Sequence, residues 1–464
     1  MSGSTTSNPD LVRALSLYDA VAVVVGTVVG SGIFLVPAEM MQAVGSATTM
    51  YLAWTVGGVL SLFGVLTYAE LSALKPETGG EYVYLRDAYG PLTGFLYGWT
   101  FFVIAKPGSI ATVATGFVRV LSRFESCRFL GQGVGNAWHM SWQGISLSVA
   151  LVALISFINY VGIKRAAGFQ VLFTAIKIAI ILAVVVIGFT YAHDGVANIR
   201  TTYHEAKGGL TGFMMALLAS LWAYDGWNDV TSISGEVKNP RRNLPIALIA
   251  GMFILITLYL SLTAAIQRVL PADALAGSES PVPEMILLTA GTVCASIVSA
   301  GIALAMLTTI NGAIMTGARI PFAVARDGYF FSALGTVHPR FYTPSISVVI
   351  QGVLASVMLL FARTFQQLFS LTLFAEWLFY MTAASTIFIF RRRMPDVHRA
   401  YRTWGYPIVP TIFIAVAAFL LYSTFADNFR PSLLGSSVIL AGVPVFFVFR
   451  KRERLTSEKT PSLS

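Results

Sequence analysis

The sequence predicts an all-α membrane protein of twelve transmembrane helices, laid out as two five-helix repeats of opposite orientation followed by two further helices. Three observations carry that prediction. The 464 residues are 56% hydrophobic and only 11% charged, with a mean hydropathy of +0.72. Apolar runs of bilayer-crossing length, about 20 residues, recur between breaks that carry charge, Gly or Pro. The 31 Lys and Arg residues concentrate in alternate segments between those runs, as the orientation rule for membrane proteins requires.

Taken in order, the first block of spans covers residues 17–37, 51–71, 92–121, 141–161 and 167–191. The second covers 209–235, 244–266, 285–316, 343–361 and 366–390, and the closing spans cover 406–426 and 432–449. The start, MSGSTTSNPDLVRALSLYDA, lacks the basic region and cleavage site of a signal peptide, so the first apolar run is expected to stay as a span. No stretch between spans is long enough for a separate soluble domain. The expected organisation is one membrane domain over 1–464, with repeats at 17–191 and 209–390 and closing helices at 406–449.

Twelve spans place both termini on one side. With the N-terminus inside, the inner segments hold more than twice as many Lys and Arg as the outer loops, RRRMPDVHRAYR and RKRER among them. Cytoplasmic termini in a plasma or cell inner membrane follow. The net charge of +9 is then a topology determinant facing anionic lipid, and no nucleic acid is expected as a partner. Cys127 and Cys294 lie far apart, the five histidines do not cluster, and no Walker loop, zinc-protease helix or nucleophile elbow occurs. No metal site, cofactor or enzymatic activity is expected.

An odd number of spans per block inverts the second block relative to the first. That is the signature of a secondary transporter, in which the opening helix of each repeat is broken near the midplane and its freed backbone groups hold the substrate. Both opening runs contain Gly where a break would fall, in GTVVGSGIF and in AYDGWND. In the first, Gly30 and Gly32 flank Ser31. Glycine permits unwinding and close approach, and the amides beyond it would form a helix N-terminus suited to a carboxylate. Close packing of helices on small residues is an equal alternative.

If the sixth run unwinds over 222–226, its released carbonyls can accept from an ammonium group, and Asp225 adds a full charge. A lone carboxylate at the bilayer centre costs about 2.5–3.5 kcal/mol on insertion scales, so Asp225 is read as touching a ligand, with pairing to a lysine as the alternative. Asp229, one helical turn onward, is read as facing either a gate or a structural partner. Lys177, in the middle of the fifth run, needs acceptors. It is read as a fixed cation replacing a metal ion, beside the hydroxyls of Thr308 and Thr309, or as a protonatable coupling site, or as an ion-pair partner of Asp225, Asp229 or Glu376. Lys106, next to Pro107 and Gly108, is read as structural, bonding carbonyls freed by a kink. Trp222 at the break is read as a lid, and Tyr224 and Trp227 as packing. Asn228 and Asn311 need hydrogen bonds, either to a ligand or as crosslinks.

Together these tracts resemble the amino acid, polyamine and organocation transporter superfamily, and within it the L-type amino acid transporter family. Beside VVGSGIF, the resemblance runs through YAELSALKPETGGEYVYLRDAYG, GEVKNPRRNLPIA and TINGAIMTGARIPFAVARDGYFFSALGTVHPRFYTP. LWAYDGWN is particularly similar to the branch that exchanges cystine and dibasic amino acids for neutral ones. The resemblance implies a LeuT-like fold, alternating access, and sodium-independent exchange of neutral L-amino acids. It implies that Val28, Ser31 and Gly32 meet the substrate from the first span, and Trp222, Ala223 and Asp225 from the sixth, with Trp222 as the gate. Many members have Gly in place of Asp225, so the carboxylate extends the range to cationic substrates. Lys177 falls where the family places a lysine in lieu of sodium. Eukaryotic members join a heavy chain through a cysteine in the loop after the third span. Cys127 lies in that loop, but SRFESCRFLGQG matches weakly and no such disulfide is expected. Proton coupling through Lys177, and a membrane sensor that binds without transport, are the competing readings.

Overall fold

The computed structural model describes residues 10–30, 32–133, 138–191, 195–361, 365–427 and 429–458. Helices α1 (Leu17–Val28), α2 (Gly32–Val44), α3 (Ala47–Leu74), α4 (Glu81–Tyr89), α5 (Pro91–Thr100), α6 (Lys106–Leu121), α7 (Trp142–Tyr160), α8 (Ile163–Thr190) and α9 (Gly195–Ile199) form the first half. The second comprises α10 (Gly209–Ala223), α11 (Pro240–Val269), α12 (Ala272–Gly277), α13 (Pro281–Gly317), α14 (Arg319–Arg326), α15 (Ser345–Phe361), α16 (Phe365–Arg393), α17 (Ile408–Asp427) and α18 (Phe429–Glu458). In the loop after α6, the strands Gly131–Gln132 and His139–Met140 pair antiparallel, with Gly131 opposite Met140.

Local chemistry sets the helix ends. Ser16 caps α1 with a reciprocal box, its hydroxyl accepting from the Asp19 amide while the Asp19 carboxylate accepts from the Ser16 amide. Ser46 and Ser141 cap α3 and α7 in the simpler way. A π-helical turn, Phe101–Ala105, joins α5 to α6 immediately before Lys106 and Pro107.

Among the described residues, eight helical runs are long and apolar enough to cross a bilayer, and α1 with α2, bent by 41°, makes a ninth if counted as one span. The chain is an integral membrane protein. The expected sixth run, 209–235, is divided: α10 stops at Ala223, and the chain continues as a 3-10 segment, Trp227–Glu236. The expected ninth run is the 17-residue α15, and the tenth lies within α16.

Helix α1 sits inside the bundle, packed on α8, α11 and α13. Helix α8 shows how the sequence aims a side chain inward. Gln170, Thr174, Lys177, Ile181, Val184 and Gly188 recur at helical spacing and are buried, while Leu172, Leu182 and Val186 on the other face are exposed, as the lipid side of a span requires. Near the cytoplasm-facing end predicted from charge, Arg319 and Glu236 form a fully buried ion pair (2.8 and 3.2 Å) that ties α14 to the 3-10 segment.

Candidate functional site

Helix α1 ends because its hydrogen-bond ladder fails at Gly30. The Gly30 amide donates to the Val28 carbonyl (2.7 Å) rather than to Gly26, which strands the Gly26 carbonyl, and the Val29 carbonyl lies beyond the helix. Both would be costly to leave bare in the bundle. Lys177 supplies the donor, its ammonium lying 3.0 Å from the Gly26 oxygen and 2.6 Å from that of Val29. Thr309 donates toward the same two oxygens (3.2 and 3.4 Å), and Thr308 reaches Gly26 at 3.5 Å. The three residues therefore converge on the carbonyls that the end of α1 exposes. Of the three readings of Lys177, the ion pair is replaced by this carbonyl contact. Gly26 permits the approach, since a Cβ there would fall 2.2 Å from Gln170 Nε2 and 2.5 Å from Thr174 Oγ1.

The second break begins after Ala223. Gly226 takes φ +99°, a left-handed conformation that favours glycine, and turns the chain into the 3-10 segment. The two breaks are tied together. Thr27 Oγ1 donates to the Gly226 carbonyl at 3.1 Å, and the Tyr259 hydroxyl lies 2.9 Å from the Ala223 carbonyl and 3.3 Å from that of Val28. Gly32 lets the strands of chain meet, since a Cβ there would lie 3.3 Å from Ala223 Cα.

Between them is a cavity of about 100 Å³, lined by Val28, Gly30, Gly32, Trp222, Ala223 and Asp225 of the expected site, together with Thr309. At roughly 10–15 Å³ of such volume per water, it has room for a small solute. The starting end of α2 and the finishing end of α10 border the same space, so a carboxylate and an ammonium can each meet the helix pole of opposite sign. Ser31 lies outside the described residues. Asn228 does not line the cavity. Its amide donates to Glu81 Oε2 (3.1 Å) and its oxygen accepts from Tyr380 (3.0 Å), making it a link behind the site. Asn311 is likewise a crosslink, joining Asn159, Gln170 and the Ala166 carbonyl.

Lys106 does not bond kink carbonyls as expected. Its ammonium pairs with Asp229 Oδ1 in a buried contact that Thr316 supports from Oδ2 at 3.3 Å, which accounts for Asp229. Sequence reasoning missed Tyr259 and Tyr380, and treated Glu376, which lines the cavity, only as a partner for Lys177. The signal was available for Glu376, a carboxylate in an apolar run; tyrosines in spans carry no comparable signal. Cys127 and Cys294 are free thiols. Among the described residues, no group of His, Cys, Asp or Glu is placed to hold a metal ion.

Interrupted apolar helices around a small polar cavity define a membrane protein of the permease class. The profile of the family described as Amino acid permease matches residues 15–449, and the chain belongs to that family, on the L-type side of the amino acid, polyamine and organocation superfamily. It is 31% identical to the serine/threonine exchanger SteT of Bacillus subtilis over 97% of this chain and 99% of that one. It is 27% identical to the human cystine/glutamate transporter, covering 95% of this chain and 85% of the relative. The human b(0,+)-type amino acid transporter 1 is 26% identical, with 95% and 88% covered.

Proposed function

We propose that the protein is a sodium-independent amino acid exchanger that works by alternating access, carrying neutral L-amino acids and extending to cationic ones. The observation that carries the reading is the opposition of two helix ends in one cavity: α2 begins, and α10 ends, on the space lined by Gly32 and Ala223. The two poles have the signs that the carboxylate and ammonium of a zwitterion need. In this reading Gly30, Ser31 and Gly32 receive the carboxylate, Val28, Trp222 and Ala223 the ammonium and its surroundings, and Trp222 closes the site. Asn228 acts indirectly, by holding Tyr380 against the cavity.

The lysine contact with Gly26 and Val29 supports a fixed cation, which removes the need for sodium to hold the broken helix. The relatives named as exchangers and amino acid transporters support substrate class and mode. The architecture that goes with this is twelve spans in one domain, inverted repeats at 17–191 and 209–390, closing helices at 406–449, and both termini in the cytoplasm. No heavy-chain disulfide is assigned to Cys127. The test is uptake of labelled amino acid into proteoliposomes: internal unlabelled amino acid should accelerate entry, and entry that ignores the internal pool would refute exchange.

A further inference from the structure

Helix α6 borders the central cavity at its start and a second polar pocket at its finish. Lys106, Ser109 and Thr112 line the cavity. Arg119, Ser122 and Arg123 line the second pocket, a space of about 270 Å³ that Arg128, Trp138 and Glu279 also border. Arg128 belongs to the short 3-10 turn Glu125–Leu130, and Trp138 leads into the second strand of the same loop. Glu279 lies between α12 and α13. In the proposed topology both loops face outward.

Three guanidinium groups meet one carboxylate in this pocket. Arg119 lies over the Trp138 ring at 5.9 Å, and Arg123 donates to the Glu279 backbone carbonyl at 3.0 Å. Among the described residues, neither Arg123 nor Arg128 forms an ion pair with an acidic side chain. Partial burial, and then the neighbouring Arg119 charge, push the Arg123 guanidinium below its usual range, and Glu279 offsets only part of this. The pocket therefore favours an anion. A planar carboxylate has the two oxygens that match a guanidinium fork, while Glu279 can take an ammonium. The set fits an α-amino acid.

The pocket is also in line with the cavity. Arg123 lines a further space of only about 20 Å³, between Phe34 and Leu35 of α2 and Ile302 and Met306 of α13. At about 10–15 Å³ per water, that space admits no amino acid. Further along α6, a Cβ on Gly116 would lie 3.6 Å from Met306, and the next turn brings Val113 and Thr112, which line the cavity. Along α6, and from Glu279 down α13, the order is the same: arginine pocket, apolar constriction, cavity.

Building on the exchanger reading, we propose that this pocket is an outer capture site, in which Arg123 and Arg128 hold the carboxylate of an incoming amino acid until the constriction between Phe34 and Met306 opens. Holding substrate there raises its concentration at the closed passage. The effect belongs to one face of the membrane.

The experiment measures exchange of labelled leucine from each face, in leucine-loaded cells expressing the full-length protein and in leucine-loaded inverted vesicles from the same cells. Cells without the protein give the background. Arg128→Gln, at an exposed side chain, should raise the ratio of outer-face to inner-face KM about fivefold or more, the effect of losing one charge-assisted contact. Arg123→Gln should do the same, and Arg128→Lys should recover part of the loss. Equal rises on both faces, as a structural role or a bound lipid headgroup would give, or no rise on the outer face, would overturn the capture site and leave the exchanger reading intact. Wild-type entry that internal leucine does not accelerate would sink the exchanger reading itself.

Discussion

The Lys177 ammonium lies 2.6 Å from the carbonyl oxygen of Val29, at the point where α1 stops, and 3.0 Å from that of Gly26 one turn earlier. One side chain thus satisfies both acceptors that the break exposes. Lys177→Ala should leave them only the longer threonine contacts, at a cost of about 1–3 kcal/mol in all, and exchange should fall by about tenfold or more. Sodium-free counterflow in proteoliposomes measures this. A variant exchanging at the wild-type rate would show that the contact is incidental.

Tyr259 joins the broken ends of α1 and α10 through Val28 and Ala223. Tyr259→Phe keeps the ring stack on Tyr224 and removes only the hydroxyl. A loss of about 1 kcal/mol should raise the KM for leucine about fivefold, with the thermal midpoint in detergent nearly unchanged. An unaltered KM would remove Tyr259 from the account.

Arg319 and Glu236 are fully buried, and Arg319 also donates to the Met315 carbonyl at 2.8 Å. Removing one partner strands the other charge, so Arg319→Ala should cost about 3–5 kcal/mol of stability. Combining Arg319→Met with Glu236→Leu should recover most of it. Thermal unfolding of the purified variants decides the matter, and equal midpoints for the single and double variants would contradict the prediction.

Asp229 neutralises Lys106. In Asp229→Asn the ammonium is free to turn toward Asp225 and Glu376, which line the same cavity. Discrimination should then shift against cationic substrates, with the lysine-to-leucine exchange ratio falling about tenfold. A preserved ratio would mean that Lys106 has no electrostatic reach to the other two carboxylates.

What the sequence made legible follows from how local each signal is. Lys177 interrupts an apolar run and falls on the buried stripe of α8, so its need for acceptors is readable from residues 170–188 alone. The glycines of both breaks are equally local. The partner of Lys106 was not readable, because Pro107 and Gly108 point to nearby carbonyls while Asp229, 123 residues away, is brought there because α6 and the 3-10 segment both pack on α13. Asn228 looked like a ligand group for the same reason, since Glu81 and Tyr380 reach it from distant parts of the chain. Runs of apolar residues gave the positions of the spans well, with 92–121 falling within Pro91–Leu121. The division of the sixth run was legible from AYDGWND rather than from hydropathy: the expected break over 222–226 falls where α10 ends at Ala223 and Gly226 turns the chain.

In the proposed function, Lys177 holds the broken first helix on the Gly26 and Val29 carbonyls without sodium. The most direct test of this is the initial rate of trans-stimulated leucine exchange in proteoliposomes with choline replacing sodium on both sides. Equal rates in the two media are predicted, and exchange that stops without sodium would contradict the account.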